Sequence, residues 1–135
     1  LVFLVPCLQD LEMSKNYQLG LLHLVQLVIS ADGVIDRREE EAFQTIRKAE
    51  DISDEVFDSF ISEAKNKKER DIYLDGIKLI NSCEDEEKIK AFVHLYKLSE
   101  SDSLIHVKEI RLLLYSIKLS GVEFNDVVEL AKKLS

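Results

Sequence analysis

Carboxylates at short, regular spacing are the chemistry this sequence offers. The stretch Ala31-Asp32-Gly33-Val34-Ile35-Asp36-Arg37-Arg38-Glu39 returns in weakened form as Ser101-Asp102-Ser103-Leu104-Ile105-His106-Val107-Lys108-Glu109. The displacement is constant, since 102 − 32, 105 − 35 and 109 − 39 each give 70. Hard divalent cations take several oxygen ligands, and a tight Asp-Gly turn brings Asp32, Asp36 and Glu39 within reach of one ion. The order D-G-x-I-D-x-x-E matches the second half of an EF-hand loop. The first half is missing: its opening ligand positions are Val28 and Ser30, so a complete EF-hand is excluded. In the second copy Ser103 replaces the glycine and His106 replaces Asp36, leaving Glu100, Asp102 and Glu109 as oxygen donors. A cation is therefore expected mainly on the first loop, with Asp102 and Glu109 assisting from the related side. The same residues have a plainer reading: Asp-Gly is a common turn, and Asp36 with Glu39 forms a helix capping box without any metal.

Other chemistry is poorly represented. His23 and His94 lie on or beside apolar helix faces and read as packed residues. Cys7 and Cys83 show no metal-ligand spacing, so neither a disulfide framework nor a zinc centre is indicated, and a reducing, cytoplasmic setting is expected. No Ser/His/Asp or Cys/His constellation supplies a nucleophile, so no enzymatic activity and no organic cofactor are expected. A net charge of −8 disfavours nucleic acid and anionic membrane surfaces. The basic run Lys65-Asn66-Lys67-Lys68 is too short, and too closely surrounded by acids, to alter that. The same charge suits a divalent cation or a basic protein surface, and any membrane association would go through a partner.

The elements that must position these acids are helical. Pro6 is the only proline, and the apolar residues recur at helical rather than alternating spacing. The pattern predicts an all-α domain of about seven helices. The first, from about Tyr17 to Ser30, is apolar almost all round and should be central and buried. Asp36 opens a second, with Phe43 and Ile46 facing inward, and Ser53 caps a third that carries Val56, Phe57, Phe60 and Ile61. A fourth runs from about Asp71 to Asn81, and a fifth from Asp85 to Glu100. The sixth spans about Val107 to Ser120 and is ended by Gly121, and the seventh runs from Asn125 to Leu134. The displacement of 70 extends to the preceding helices, where Leu21, Leu22, Val25 and Val28 correspond to Ala91, Phe92, Leu95 and Leu98. Helices one and two are therefore expected to pack against five and six about a pseudo-two-fold axis.

No Pro/Gly/Ser-rich linker divides the chain, so residues 13–135 read as one domain. Leu1 to Leu8 is apolar but lacks the basic flank and cleavage site of a signal peptide and is far too short to cross a bilayer. Met13-Ser14-Lys15-Asn16 reads as a natural start, with residues 1–12 an N-terminal extension outside the core.

The Leu/Val-rich helix followed by A-D-G-x-I-D-x-x-E at Ala31 to Glu39, with its D-x-x-I-x-x-x-E echo at Asp102 to Glu109, resembles the TerB-like domain of tellurite-resistance proteins. That domain also stands at the front of DjlA-type co-chaperones. The resemblance spans about residues 15–134. It implies an all-α fold with internal pseudo-symmetry and a bacterial stress-response role. It also implies a divalent-metal site that would include Asp32, Asp36, Glu39, Asp102 and Glu109. Tellurite is an oxyanion, so an acidic protein is electrostatically unsuited to sequester it directly. The expected function is a non-enzymatic protein-interaction scaffold binding a divalent cation (Ca, Mg, Mn or Zn). The alternative is a metal-independent helical interaction module whose acidic loops only cap helices.

Overall fold

The computed structural model describes residues 8–29, 37–101, 107–117 and 123–133, and all regular structure among them is helical. The order is α1 (Leu8–Ile29), α2 (Arg37–Glu50), α3 (Asp54–Ala64), α4 (Glu69–Asn81), α5 (Asp85–Ser101), α6 (Val107–Tyr115) and α7 (Phe124–Lys133). The all-α expectation holds for these residues. None of these helices is long and apolar enough to cross a membrane.

α1 begins nine residues before the expected Tyr17, and the boundary at residue 13 falls inside it. The polar run Glu12 to Asn16 interrupts the apolar period but contains no glycine or proline to stop a helix. The core forms around α1, with Leu21, Leu22, Leu24 and Val25 wholly buried, together with Phe43, Phe60, Ile80, Phe92, Leu95 and Ile110 from five other helices. Burying a large apolar side chain contributes roughly 1.5–3 kcal/mol, so these residues are a main source of the fold's stability.

The neighbour that α1 touches most extensively is α4, an element outside the expected grouping of helices one and two with five and six, and its contact with α5 is smaller. Two glycines explain the difference. A β-carbon on Gly20 would lie 2.7 Å from Ile80 Cδ1 and 3.2 Å from the Ile80 backbone nitrogen, and one on Gly76 would lie 2.8 Å from His23 Cβ. With no side chain at either position, the α1 and α4 backbones approach closely. α5 makes its widest contact with α7, and its contact with α1 is smaller.

The α2–α3 connection is set locally. Asp51 takes the left-handed conformation at φ 51°, and the Ile52 amide donates to the Arg47 carbonyl at 3.0 Å, closing α2. Ser53, in extended backbone, then accepts the Val56 amide at 3.2 Å and caps α3 as predicted. Arg47 pairs with Asp54 and lies over the Phe57 ring, 4.5 Å from its centroid. At the other end of the chain, α6 is shorter than expected. It ends at Tyr115 and tightens through Ser116 and Ile117 amides donating to Leu113 and Leu114 carbonyls. Gly121, its expected terminator, lies outside the described residues.

α2 and α6 begin 107 − 37 = 70 residues apart, and α3 and α7 begin 124 − 54 = 70 residues apart. The displacement first read in two loops thus recurs in the starts of the helices that follow them.

Candidate functional site

Of the five carboxylates singled out in the sequence, Asp32, Asp36 and Asp102 lie outside the described residues. The other two stand at equivalent places with opposite surroundings. Arg37 is the first residue of α2, which puts Glu39 at the third helical position, and Glu109 is likewise third in α6. Glu39 is buried, with 6% of its surface exposed, whereas Glu109 is exposed. Both gain from the partial positive charge of a helix N-terminus. Only Glu39 is held in an interior where a carboxylate must be compensated.

Among the described residues, no group of three or more His, Cys, Asp or Glu side chains is arranged to hold a metal. Glu109 instead lines, together with Glu69, an acid passed over in the sequence, an open groove of 340 Å³ between α1, α4 and α6. Leu27 and Val28 of the last α1 turns form one wall, and Leu112 and Leu113 of α6 form another. Tyr73 and Ser116, whose hydroxyls bond to each other, also line it. Glu39 is not among the residues that line it.

The helices that run into the two acidic loops end in a similar way. Neither α1 nor α5 carries a basic residue in its last turn, which is true also of α3 and α6, whereas α2 ends with Arg47 and Lys48, α4 with Lys78, and α7 with Lys132 and Lys133. The partial negative charge of the terminal carbonyls at α1 and α5 therefore has no basic side chain within its own last turn.

Two further polar clusters have little signature in sequence. Glu50, the last residue of α2, has a side chain only 5% exposed, and its Oε1 lies 2.8 Å from Lys90 Nζ and 3.6 Å from His94 Nε2 of α5. Burial alone would raise its pKa, but His94, Lys90 and Tyr17 together more than offset this and bring it down to about 2. Tyr17 of α1 is displaced in the opposite sense, its phenol held protonated by burial and then by the neighbouring Glu50 charge. Gln18 adds a bond from its side-chain amide to the Glu50 backbone carbonyl at 3.3 Å. The cluster ties α1, α2 and α5 together at the end of α2 remote in sequence from Glu39.

The second cluster surrounds His23, which is almost wholly buried, as the apolar setting predicts. Its Nδ1 lies 2.6 Å from the Leu19 carbonyl, which can only accept, so the proton sits on Nδ1 and Nε2 is free to accept from Lys67 Nζ at 3.4 Å. Burial holds this imidazole below its ordinary pKa, against the opposing pull of the Leu19 carbonyl. Lys67 also pairs with Asp75 at 2.9 Å and with Glu63 at 3.7 Å. The Phe60 ring packs edge-on against the imidazole at 5.0 Å between centroids. This arrangement is a satisfied core histidine beneath a surface ion pair.

No protein-family model, curated protein or solved structure matches the chain, so the TerB-like resemblance rests on its motif residues.

Proposed function

We propose that this chain is a non-enzymatic, TerB-like protein-interaction scaffold of the cytoplasm that responds to a divalent cation held at its first acidic loop. The observation that carries this reading is the burial of Glu39 in the first turn of α2, three residues after Asp36 and seven after Asp32 in the sequence. A carboxylate in that setting favours a positive charge beside it. Asp32, Asp36 and Glu39 would hold the cation, with Asp102 and Glu109 of the second loop as lesser contributors. The ion would act by bridging these carboxylates at the start of α2 and has no reaction to catalyse. The shared displacement of 70 between α2 and α6 and between α3 and α7 supports an internal duplication, as the TerB-like reading requires. A bacterial stress-response role follows from that resemblance.

A metal-independent module is favoured by a different observation, the capping-box position of Glu39 in the first turn of α2. Calorimetric titration of the full chain with Ca²⁺, Mg²⁺, Mn²⁺ and Zn²⁺, alongside thermal melts, decides between the two. The expected result is saturable binding of at least one ion with a raised melting temperature. Both effects should disappear in an Asp32→Ala/Glu39→Ala variant that keeps its helical circular dichroism. Absence of binding, with a melting temperature indifferent to chelator but lowered in the variant, would establish the acids as caps.

A further inference from the structure

We infer that the groove between α1, α4 and α6 is the docking site for a basic amphipathic helix of another protein, with an apolar side chain seated between Leu27 and Leu112 and a Lys or Arg at Glu69 and Glu109. The inference deepens the scaffold reading by naming the surface and the chemistry of its partner, and it rests on that reading.

Three observations meet at this groove. First, α6 exposes large apolar groups that a folded chain ordinarily covers: Leu112, which lines the groove, is 68% exposed, and Tyr115, one helical turn on and outside the lining, is 75% exposed. Position 112 is related by the displacement of 70 to Ala42 of α2, which is buried in the core. Where the first half buries a small residue, the second half presents a larger and more apolar one to solvent.

Second, the groove has an acidic as well as an apolar lining. Glu69 and Glu109, from the first turns of α4 and α6, both line it, as do Tyr73 and Ser116, whose hydroxyls bond to each other. Neither carboxylate has a salt bridge among the described residues. From Glu109 to Ser116 the α6 wall runs roughly 10 Å at helical rise, long enough for about two turns of a docked helix. A groove of 340 Å³ admits one or two anchoring side chains rather than a whole helix, so the partner lies along it with one apolar residue inserted.

Third, the charge of the whole molecule selects the partner. A second copy of this chain would bring its own net charge of −8 against the two carboxylates, whereas a basic segment is attracted to them. The last turn of α1, which supplies Leu27 and Val28, adds the negative end of a helix with no basic residue in that turn.

The test is fluorescence anisotropy of the full chain with a labelled amphipathic model peptide of about 14 residues, long enough for a nascent helix, built from Leu and Lys with the leucines on one face. A Leu/Glu peptide of the same pattern is the control. The expected result is saturable binding of the Leu/Lys peptide alone, weakened roughly tenfold in Leu112→Ser and again in Glu69→Gln. Both positions are exposed and Glu69 has no salt bridge, so melting curves of the variants are expected to overlay that of the parent chain. Equal binding by Leu112→Ser would reduce the attraction to charge alone and overturn the proposal, as would equal binding of the Leu/Glu peptide or no binding of either. The titrations are repeated in chelator and on the Asp32→Ala/Glu39→Ala variant. Binding that survives both treatments but fails in Leu112→Ser supports the groove while removing cation dependence. Cation binding without peptide binding leaves the loop reading standing and removes the groove.

Discussion

Glu50 shows how a single buried acid makes the fold sensitive to pH. Its carboxyl titrates near 2 in the folded chain against an ordinary value of 4.5, so on acidification the unfolded chain takes up this proton first. The associated stability is present above pH 4.5 and is lost as the pH falls from 4.5 towards 2. By the conversion of a pKa difference to free energy it amounts to roughly 3 kcal/mol. Glu50→Gln is expected to lose a similar amount at neutral pH, read as a lower urea midpoint, and to flatten the stability profile below pH 4.5. An unchanged acid limb in the variant would show that the Lys90 and His94 contacts contribute nothing. His23 acts in a separate window: its lowered pKa means that stability falls as the pH drops below 6.5, where the unfolded imidazole takes up a proton that the folded one resists. The burial of His23 was legible in its apolar surroundings, but the Glu50 cluster was not, because Glu50 reads as one more acid near a helix end. Its role comes from Tyr17, Lys90 and His94, which only folding brings to it.

At the scale of elements, the closest helix crossing is decided by residues that have no side chain. Alanine in place of a mid-helix glycine ordinarily adds about 1 kcal/mol. At Gly20 the new methyl would meet Ile80 Cδ1 and Cγ1 and, at 3.2 Å, the Ile80 backbone nitrogen, and at Gly76 it would meet the His23 β-carbon at 2.8 Å, so turning one side chain does not clear either clash. Overpacking costs roughly 1–3 kcal/mol, so Gly20→Ala and Gly76→Ala are each expected to lower the melting temperature, reversing the helix-propensity trend. A stabilised variant would mean that α1 and α4 can separate without loss. Local signals proved readable: Ser53 caps α3 because its hydroxyl needs only the amide three residues on, and the buried α1 follows from an apolar period present in its own residues. The α1–α4 pairing did not follow, since nothing near Gly20 in sequence points to Gly76. The different environments of Glu39 and Glu109 were equally hidden, because a repeat predicts position along the chain and not what packs above it.

For the whole molecule, burial is uneven, and the unevenness predicts how the fold opens. The segment from Leu21 to Val25 is buried at every position, as is Ala91 to Phe92 with Val93 and Leu95, whereas α6 exposes Val107, Leu112 and Tyr115 along a short helix. Local opening takes the parts with fewest buried apolar contacts first. Native-state hydrogen exchange, which reports opening over minutes to hours, is therefore expected to find the slowest amides in the middle of α1 and α5 and faster exchange through α6. Uniform protection in all helices would mean that the two halves open only together. The same measurement bears on the cation. An ion held by Asp32, Asp36 and Glu39 would be tied to the end of α1 and the first turn of α2. At saturation, protection should rise at Leu27 to Ile29 and at Arg37 to Glu39 more than in α3. A docked basic helix should instead slow exchange along α6 around Leu112 and at the start of α4 around Glu69. The two ligands thus leave different footprints, and a footprint of either kind on α7 would contradict both assignments.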